Sequence, residues 1–306
     1  MALAGGVGGS KLALGLARIV EPPNLVVGVN TGDDECFYGL HVSPDLDTVM
    51  YTLAGLANQE TGWGLAGETF ESLEMLRRYG VDSWFNLGDR DLATHIRRTQ
   101  LLRDGVGLSE VTADLSRALG VKHTIAPMSD DLVKTVVDTN EGLLAMQEYF
   151  VKRKTEPAVK NIHYEGAESA QPSTAMAVAL AAGGLLVLCP SNPFLSLGPI
   201  LAVPGIRRSL EVFPGPRVAV SPIVGGAALR GPAAKMMVEL GHDASCLGVA
   251  RQYQGICDYF FIDDQDAEYA PAISELGIQP VTTSIIMQSE ADKVSLARQI
   301  LEITDR

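Results

Sequence analysis

Four aspartates fall within one short acidic run, Val29–Thr48, which reads VNTGDDECFYGLHVSPDLDT. Asp33, Asp34, Asp45 and Asp47 follow the apolar segment Leu25–Val29, which reads as a buried strand. In open α/β sheets, ligands sit just past the carboxyl ends of strands. Like charges crowded there repel one another unless a cation or a basic ligand compensates. A divalent ion with phosphate is the simplest compensation, because hard cations such as magnesium take oxygen ligands. The plain alternative is a solvated turn for Asp33 and Asp34, and helix capping for Asp45 and Asp47. Two acidic pairs flanking one short loop after a strand favour function.

Gly5-Gly6-Val7-Gly8-Gly9-Ser10-Lys11 stands between a short apolar piece and a helical pattern. Backbone N–H groups of such a turn, with the helix N-terminus behind them, form a phosphate cradle. The Gly-Lys-Ser/Thr order of a P-loop is absent, and Lys11 stands where a dinucleotide fingerprint needs its third glycine. A tight strand-to-helix turn without ligand is the alternative. Two proline-marked turns also follow apolar strands: Cys189-Pro190-Ser191-Asn192-Pro193 and Ser221-Pro222-Ile223-Val224-Gly225-Gly226. Ser191, Asn192 and Ser221 supply neutral donors and acceptors suited to a base, ribose or phosphate, or serve as ordinary turn residues.

In Leu87-Gly88-Asp89-Arg90-Asp91, Asp89 reads as a helix N-cap and Asp91 as a first-turn acid, with Arg90 and His95 on the surface. His95 has no second histidine at helical spacing, so it makes a poor metal ligand. Tyr38, Trp63, Trp84 and Phe85 suit either a core or the wall of an aromatic ligand site. No GxSxG element or coherent Ser-His-Asp spacing occurs.

The elements that must position these groups alternate. Strands are expected over Met1–Ala4, Leu25–Val29, Leu185–Cys189, Arg217–Ser221 and Tyr259–Ile262. Helices are expected after the glycine turn and over Pro44–Leu56, Thr69–Tyr79, Asp89–Arg103, Pro172–Ala182, Pro232–Leu240 and Ala291–Ile303. The Asp89–Arg103 helix reads as amphipathic, Leu92, Ile96 and Leu101-Leu102 facing inward against His95, Arg97, Arg98 and Arg103. Around 121–165 short alternating stretches, Leu132–Asp138 and Asn161–Glu165, flank a helical Met146–Lys154. They predict an inserted α+β subdomain or lid within a single nucleotide-binding α/β domain spanning 1–306. The fold expected is a three-layer α/β/α Rossmann-like sandwich on a mostly parallel sheet.

With 306 residues, 46% apolar and 20% charged, the chain buries a full core. A net charge of −13 argues against a broad nucleic-acid or anionic-membrane surface. No uncharged apolar run reaches the roughly 18–20 residues of a membrane span. Cys36, Cys189, Cys246 and Cys257 are scattered without a CxxC pair, and no basic region precedes an apolar stretch at the start. A reducing cytoplasm is the compartment expected.

Taken together, GGVGGSKL, VNTGDD, SPDLDTVMYTLAG, GWGLAGETF, LGDRDLATHIRRTQLLRDG, APMSDD, PSNPFLSLGPIL, AVSPIVGG and GPAAKMM resemble the 2-phospho-L-lactate transferase family of deazaflavin (coenzyme F-420) biosynthesis, in family order over nearly the whole chain. The resemblance implies a donor in which guanosine diphosphate is capped by a three-carbon acid (lactyl, enolpyruvoyl or glyceryl). The acceptor it implies is 7,8-didemethyl-8-hydroxy-5-deazariboflavin. The acceptor's terminal ribityl hydroxyl attacks the phosphorus bearing the acid and GMP leaves, with magnesium required. A homodimer is implied as well. Family members usually start a few residues earlier, so the first strand is expected to be clipped.

Carried onto this chain, the resemblance puts Asp47 and Asn86 at the deazaflavin, with Asp89 and Arg90 beside them. Family members often carry a basic residue at the second of these positions, so Asn86 implies a different contact there. Asp33 and Asp47 are expected to hold magnesium and to act in catalysis. Gly6, Gly8, Gly9, Lys11, Ser191, Asn192 and Ser221 are expected to bind the nucleotide. Phosphoryl transfer needs positioning and charge neutralisation rather than a covalent nucleophile. Replacing Asp47 by Ala is expected to lower turnover by orders of magnitude while leaving the fold intact. The rival reading is a regulatory protein of a related gluconeogenesis-factor family that binds nucleotide sugars. Its acidic loop reads ADDGG where this chain has GDDECFYG. A dinucleotide oxidoreductase fits less well, because the glycine fingerprint is incomplete.

Overall fold

A computed structural model describes residues 1–228 and 231–305 of the chain. Strand β1 (Ala2–Ala4) runs straight into helix α1 (Gly6–Ala17), and the chain returns through β2 (Val26–Val29). A hairpin, β3 (Glu35–Phe37) and β4 (Leu40–Val42), then occupies the middle of the acidic run. Its two-residue turn is Tyr38-Gly39, with φ 55° and 77°, the doubly left-handed pair whose twist matches the flanking strands. The hairpin delivers the chain to α2 (Pro44–Leu53). Pro44 occupies the first turn, where an N–H would have no intrahelical partner.

Three helices follow, α3 (Glu71–Arg78), α4 (Asp91–Arg103) and α5 (Leu108–Ala118), and then strand β5 (Thr124–Pro127). Of the stretch 121–165, β5 joins the central sheet beside β2. Strands β6 (Lys134–Thr139), β7 (Gly142–Ala145) and β8 (Val159–Glu165) build a separate antiparallel sheet in the order β7-β6-β8. The segment expected to be helical there contributes one π-helical turn, Glu148–Lys152. Helix α6 (Thr174–Ala182) leads to β9 (Leu186–Leu188). Helices α7 (Leu197–Ala202) and α8 (Pro204–Glu211) lead to β10 (Arg217–Val220). A small ribbon, β11 (Ile223–Val224) with β12 (Ala227–Ala228), precedes α9 (Ala233–Glu239) and α10 (Cys246–Gln252). The last elements are β13 (Tyr259–Ile262), α11 (Ala270–Ser274), β14 (Gln279–Thr282) and α12 (Glu290–Leu301).

Seven strands form one sheet in the order β14-β13-β10-β9-β1-β2-β5, and every neighbouring pair is parallel. The strands are apolar on both faces because both faces are covered. Leu3, Leu188, Ala219 and Phe260 enter one core, under α6, α7 and α10. Ala2, Ala4, Val187, Val218 and Phe261 enter the other, under α1, α2 and α12. The α/β architecture expected from the alternation is therefore the one observed.

Strand order reverses at β1, which leads to β2 and β5 on one side and has β9, β10, β13 and β14 on the other. The crevice beyond the carboxyl ends of β1 and β9 is a topological switch point, the usual ligand position in such sheets.

One helix departs from its expected orientation. On α4, Ile96 is 55% exposed, whereas His95 and Arg98 are each 1% exposed. The groups facing α4 are the Asp47 carboxylate, which pairs with Arg98, and the Tyr51 hydroxyl, which bonds the helix's own Asp91, so its buried side is polar.

Candidate active site

The glycine turn is shorter than its sequence suggests, because α1 begins at Gly6. Gly8 and Gly9 lie within the helix, where they allow it to touch the turn after β9. A Cβ on Gly8 would stand 2.2 Å from the Pro190 carbonyl oxygen, and one on Gly9 would stand 2.6 Å from Ser191 Oγ. Ser191 Oγ in turn accepts the Gly5 N–H at 3.2 Å and donates to the Gly5 carbonyl at 2.9 Å. The two strand ends that flank the switch point are thus tied together.

The acidic run closes over this junction, and its four aspartates are buried. Asn30, at the end of β2, is the hub. Its Nδ2 donates to Asp33 Oδ1 at 3.1 Å and to Asp45 Oδ2 at 2.9 Å, and its Oδ1 accepts the Gly32 N–H at 2.8 Å. Asp45 Oδ1 accepts the Gly6 N–H at 2.6 Å. Asp33 Oδ2 is reached by Gln147 Nε2 at 3.1 Å, a contact from the residues just after β7. Asp34 Oδ2 takes Ser43 Oγ at 2.6 Å and His41 Nε2 at 3.1 Å, while Asp34 Oδ1 is buried with no partner.

Burial and like charge push these acids upward. Burial, then the Asp45 and Asp34 charges, hold the Asp33 carboxyl well above its ordinary range. Asp34 is raised by burial, against the pull of His41 and Ser43. Asp45 is pushed up to about 6 by burial, although Asn30 and Gly6 donate to it.

Asp47 is held differently. Arg98 Nη1 donates to its Oδ2 at 3.0 Å and Arg98 Nη2 donates to its Oδ1, a buried two-pronged pair. His95 Nδ1 lies 3.3 Å from Arg98 Nη1. On the other side of the ring, His95 Nε2 is 3.2 Å from Asp91 Oδ1 but off the hydrogen-bonding direction. Tyr51 donates its hydroxyl to Asp91 Oδ1 at 2.6 Å. Burial would raise the Asp91 carboxyl, but His95, Tyr51 and Arg98 together hold it below its ordinary value.

Asp91 also forms part of a cavity of about 300 Å³ with Trp63, Phe70, Gly64 and Gly88. Trp63 is the one of the four singled-out aromatics that lines it. Phe85 stacks on Phe37 with ring centroids 3.9 Å apart, Trp84 meets Phe37 edge-on, and Tyr38 donates its hydroxyl to the Phe85 carbonyl. A larger cavity of about 750 Å³, between Tyr164, Phe194, Arg207 and Tyr253, touches none of the acidic residues.

The residues named from sequence divide as follows. Asp33, Asp45, Asp47, Gly6, Gly8, Gly9 and Ser191 meet at the switch point. Asn192 Oδ1 accepts the Phe194 and Leu195 N–H groups, and Ser221 Oγ closes a turn with Ile223, so both side chains shape loops. Lys11 Nζ donates to the Met287 carbonyl at 3.0 Å. Asp89 accepts Thr69 Oγ1 and the Glu71 and Ser72 N–H groups, which caps α3. Glu68 returns the favour at α4, taking the Arg90 and Asp91 N–H groups. Arg90 donates to the Ala66 carbonyl, and Asn86 is exposed.

Sequence reasoning passed over Asn30, Tyr51, Asp91, His95, Arg98 and Gln147 as site residues. The spacing of 91, 95 and 98 along one helical face was the available signal. Among the described residues, no group of three or more His, Cys, Asp or Glu side chains forms a ready-made metal cage.

A family model described as 2-phospho-L-lactate transferase CofD matches residues 1–299. A phosphoenolpyruvate transferase of Streptomyces griseus is 41% identical, over 99% of this chain and 97% of that protein. A 2-phospho-L-lactate transferase of Methanopyrus kandleri is 39% identical over 99% and 96%, and one of Methanocaldococcus jannaschii is 40% identical over 98% and 96%. A crystal structure of a UPF0052 family member from Bacillus halodurans superposes with a TM-score of 0.64 over 98% of each chain at 15% identity, which speaks to the fold alone.

Proposed function

The chain belongs to the 2-phospho-L-lactate transferase CofD family, and from that premise we propose the reaction that its switch point carries out. It is a transferase of 2-phospho-L-lactate or phosphoenolpyruvate type in F-420 biosynthesis. The donor is a guanosine diphosphate capped by a lactyl, enolpyruvoyl or glyceryl acid, and the acceptor is 7,8-didemethyl-8-hydroxy-5-deazariboflavin. The terminal ribityl oxygen bonds to the phosphorus bearing the acid. The phosphoanhydride bond to GMP breaks, and the hydroxyl proton is released.

The observation that carries this reading is the buried carboxylate group around Asn30, set against the start of α1 where strand order reverses. Asp33 and Asp34 fit magnesium. Both are destabilised as bare carboxylates, and Asp34 Oδ1 is a buried acceptor without a partner. Asp33 and Asp34 would hold the ion together with donor phosphate oxygens, and it would neutralise charge along the diphosphate. Asp47, oriented by Arg98, accepts a hydrogen bond from the ribityl hydroxyl rather than giving both its oxygens to the ion. The amides at the start of α1 face the donor phosphates, Trp63 walls the acceptor side, and Asn86, Asp89 and Arg90 border it. A homodimer in the cytoplasm is the state that accompanies this reading. Among the described residues, no helix is long and apolar enough to cross a membrane.

The decisive experiment incubates the protein with deazariboflavin, magnesium and each guanylylated donor in turn and weighs the product. A mass equal to acceptor plus acid phosphate, with GMP formed, is expected. Absence of that product with every donor, alongside stabilisation by UDP-sugars, would replace the reading with the nucleotide-sugar regulator.

A further inference from the structure

We infer that His95 is a positioning residue that fixes the Arg98 fork on Asp47 through its Nδ1. The inference rests on Asp47 being the carboxylate that meets the acceptor hydroxyl. Arginine carries donors only, so a ring nitrogen 3.3 Å from Arg98 Nη1 has to present a lone pair. His95 is therefore the Nε2–H tautomer, with bare Nδ1 toward Arg98.

The guanidinium has few other anchors. Arg98 Nε is buried without a partner, so the group is held by Asp47 and His95. The ring is confined in turn by burial, with its Nε2 3.2 Å from Asp91 Oδ1, which takes the Tyr51 hydroxyl. Without the Nδ1 acceptor, the fork is free to tilt, and Asp47 tilts with it. A misplacement of about 1 Å at a reacting group costs on the order of 100-fold in rate.

Two near-isosteres separate the two sides of the ring. In His95→Asn the amide oxygen takes the place of Nδ1 and keeps the Arg98 contact. In His95→Gln the amide reaches the place of Nε2 and keeps only the Asp91 side. His95→Asn is expected to stay within about threefold of wild-type kcat, and His95→Gln and His95→Leu to lose about 100-fold with little change in acceptor KM. His95→Gln added to Arg98→Lys should cost nothing further, because both act on one contact.

Equal losses in the asparagine and glutamine variants, or additive losses in the double variant, would overturn the inference. If the leucine variant does not fold, the asparagine–glutamine contrast decides alone. The imidazole ¹⁵N shifts of His95 give a readout independent of turnover: a protonated Nε2 and a bare Nδ1 are expected, and the opposite tautomer overturns the inference. An inactive wild type with the expected tautomer tells against the proposed reaction. An active wild type with equal losses tells against His95.

Discussion

Asp45 Oδ1 accepts the backbone N–H of Gly6 at 2.6 Å, so a carboxylate from the first turn of α2 caps the first amide of α1. The anion position at that helix start is filled by the protein's own acid. The cost of holding the charge there is visible in Asp45, whose pKa rises to about 6 from an ordinary 3.8. Folded Asp45 holds its proton more tightly than the unfolded chain does. The stability it contributes is full below its ordinary value and is lost as pH rises through its folded one. Asp45→Asn removes the titration. Its stability relative to wild type should therefore rise between about pH 4 and about pH 7 in thermal unfolding of the ligand-free protein. A gap that stays constant over that interval would show that Asp45 is not the titrating group.

The Asp47–Arg98 pair alters what an Asp47 substitution can be expected to do. On the proposed reaction, Asp47→Ala removes the carboxylate assigned to the acceptor hydroxyl, so turnover should fall by about 100-fold or more. It also leaves Arg98 buried and uncompensated, so the fold is not spared: a loss of about 3–5 kcal/mol is expected. The double variant Asp47→Ala/Arg98→Met should regain most of that stability and none of the turnover. Denaturant unfolding with parallel assays checks both. A single variant as stable as wild type would mean that Arg98 finds another partner.

Much of the fold is legible in the sequence because its strands are short apolar runs bounded by glycine and proline, and a parallel sheet covered on both faces requires such runs. Tyr259–Ile262 falls where it was expected. The switch-point residues were legible too, since carboxylates and glycines cluster directly after strands. Helix α4 was not. Leu92 and Ile96 mimic a core face, but the neighbours of this helix's Arg98 and Asp91 are Asp47 and Tyr51, and polar pairing rather than hydrocarbon decides its orientation. Periodicity counts apolar residues and carries no information about a buried polar partner 51 positions away, as Arg98 is from Asp47. For the same reason, the sequence could not show that the Asn192 and Ser221 side chains are engaged in local turns.

Gly8 gives a test of the junction between the two strand ends. An added methyl would meet the Pro190 carbonyl oxygen, which is backbone and cannot rotate away. Gly8→Ala should push α1 off the turn after β9 at a cost of about 1–3 kcal/mol, typical of overpacking. Calorimetric affinity for a guanosine diphosphate should fall with it, because the α1 amides move. Unchanged melting and unchanged affinity would mean that this contact does not shape the site.

Asp33 supplies the test of the metal. Its carboxyl is held above the ordinary range by burial and by its acidic neighbours, and its Oδ2 is steadied by Gln147. A divalent cation relieves that repulsion, so magnesium should stabilise the protein to heat, and more so when guanosine diphosphate supplies further oxygen ligands. Removing the ion with chelator should reverse the shift. Asp33→Asn relieves the same repulsion by chemistry instead. It should therefore melt at or above the temperature of the metal-free wild type while losing the magnesium response. Differential scanning measurements with and without magnesium, nucleotide and chelator distinguish these cases. A magnesium response that survives in Asp33→Asn would move the ion away from this carboxylate.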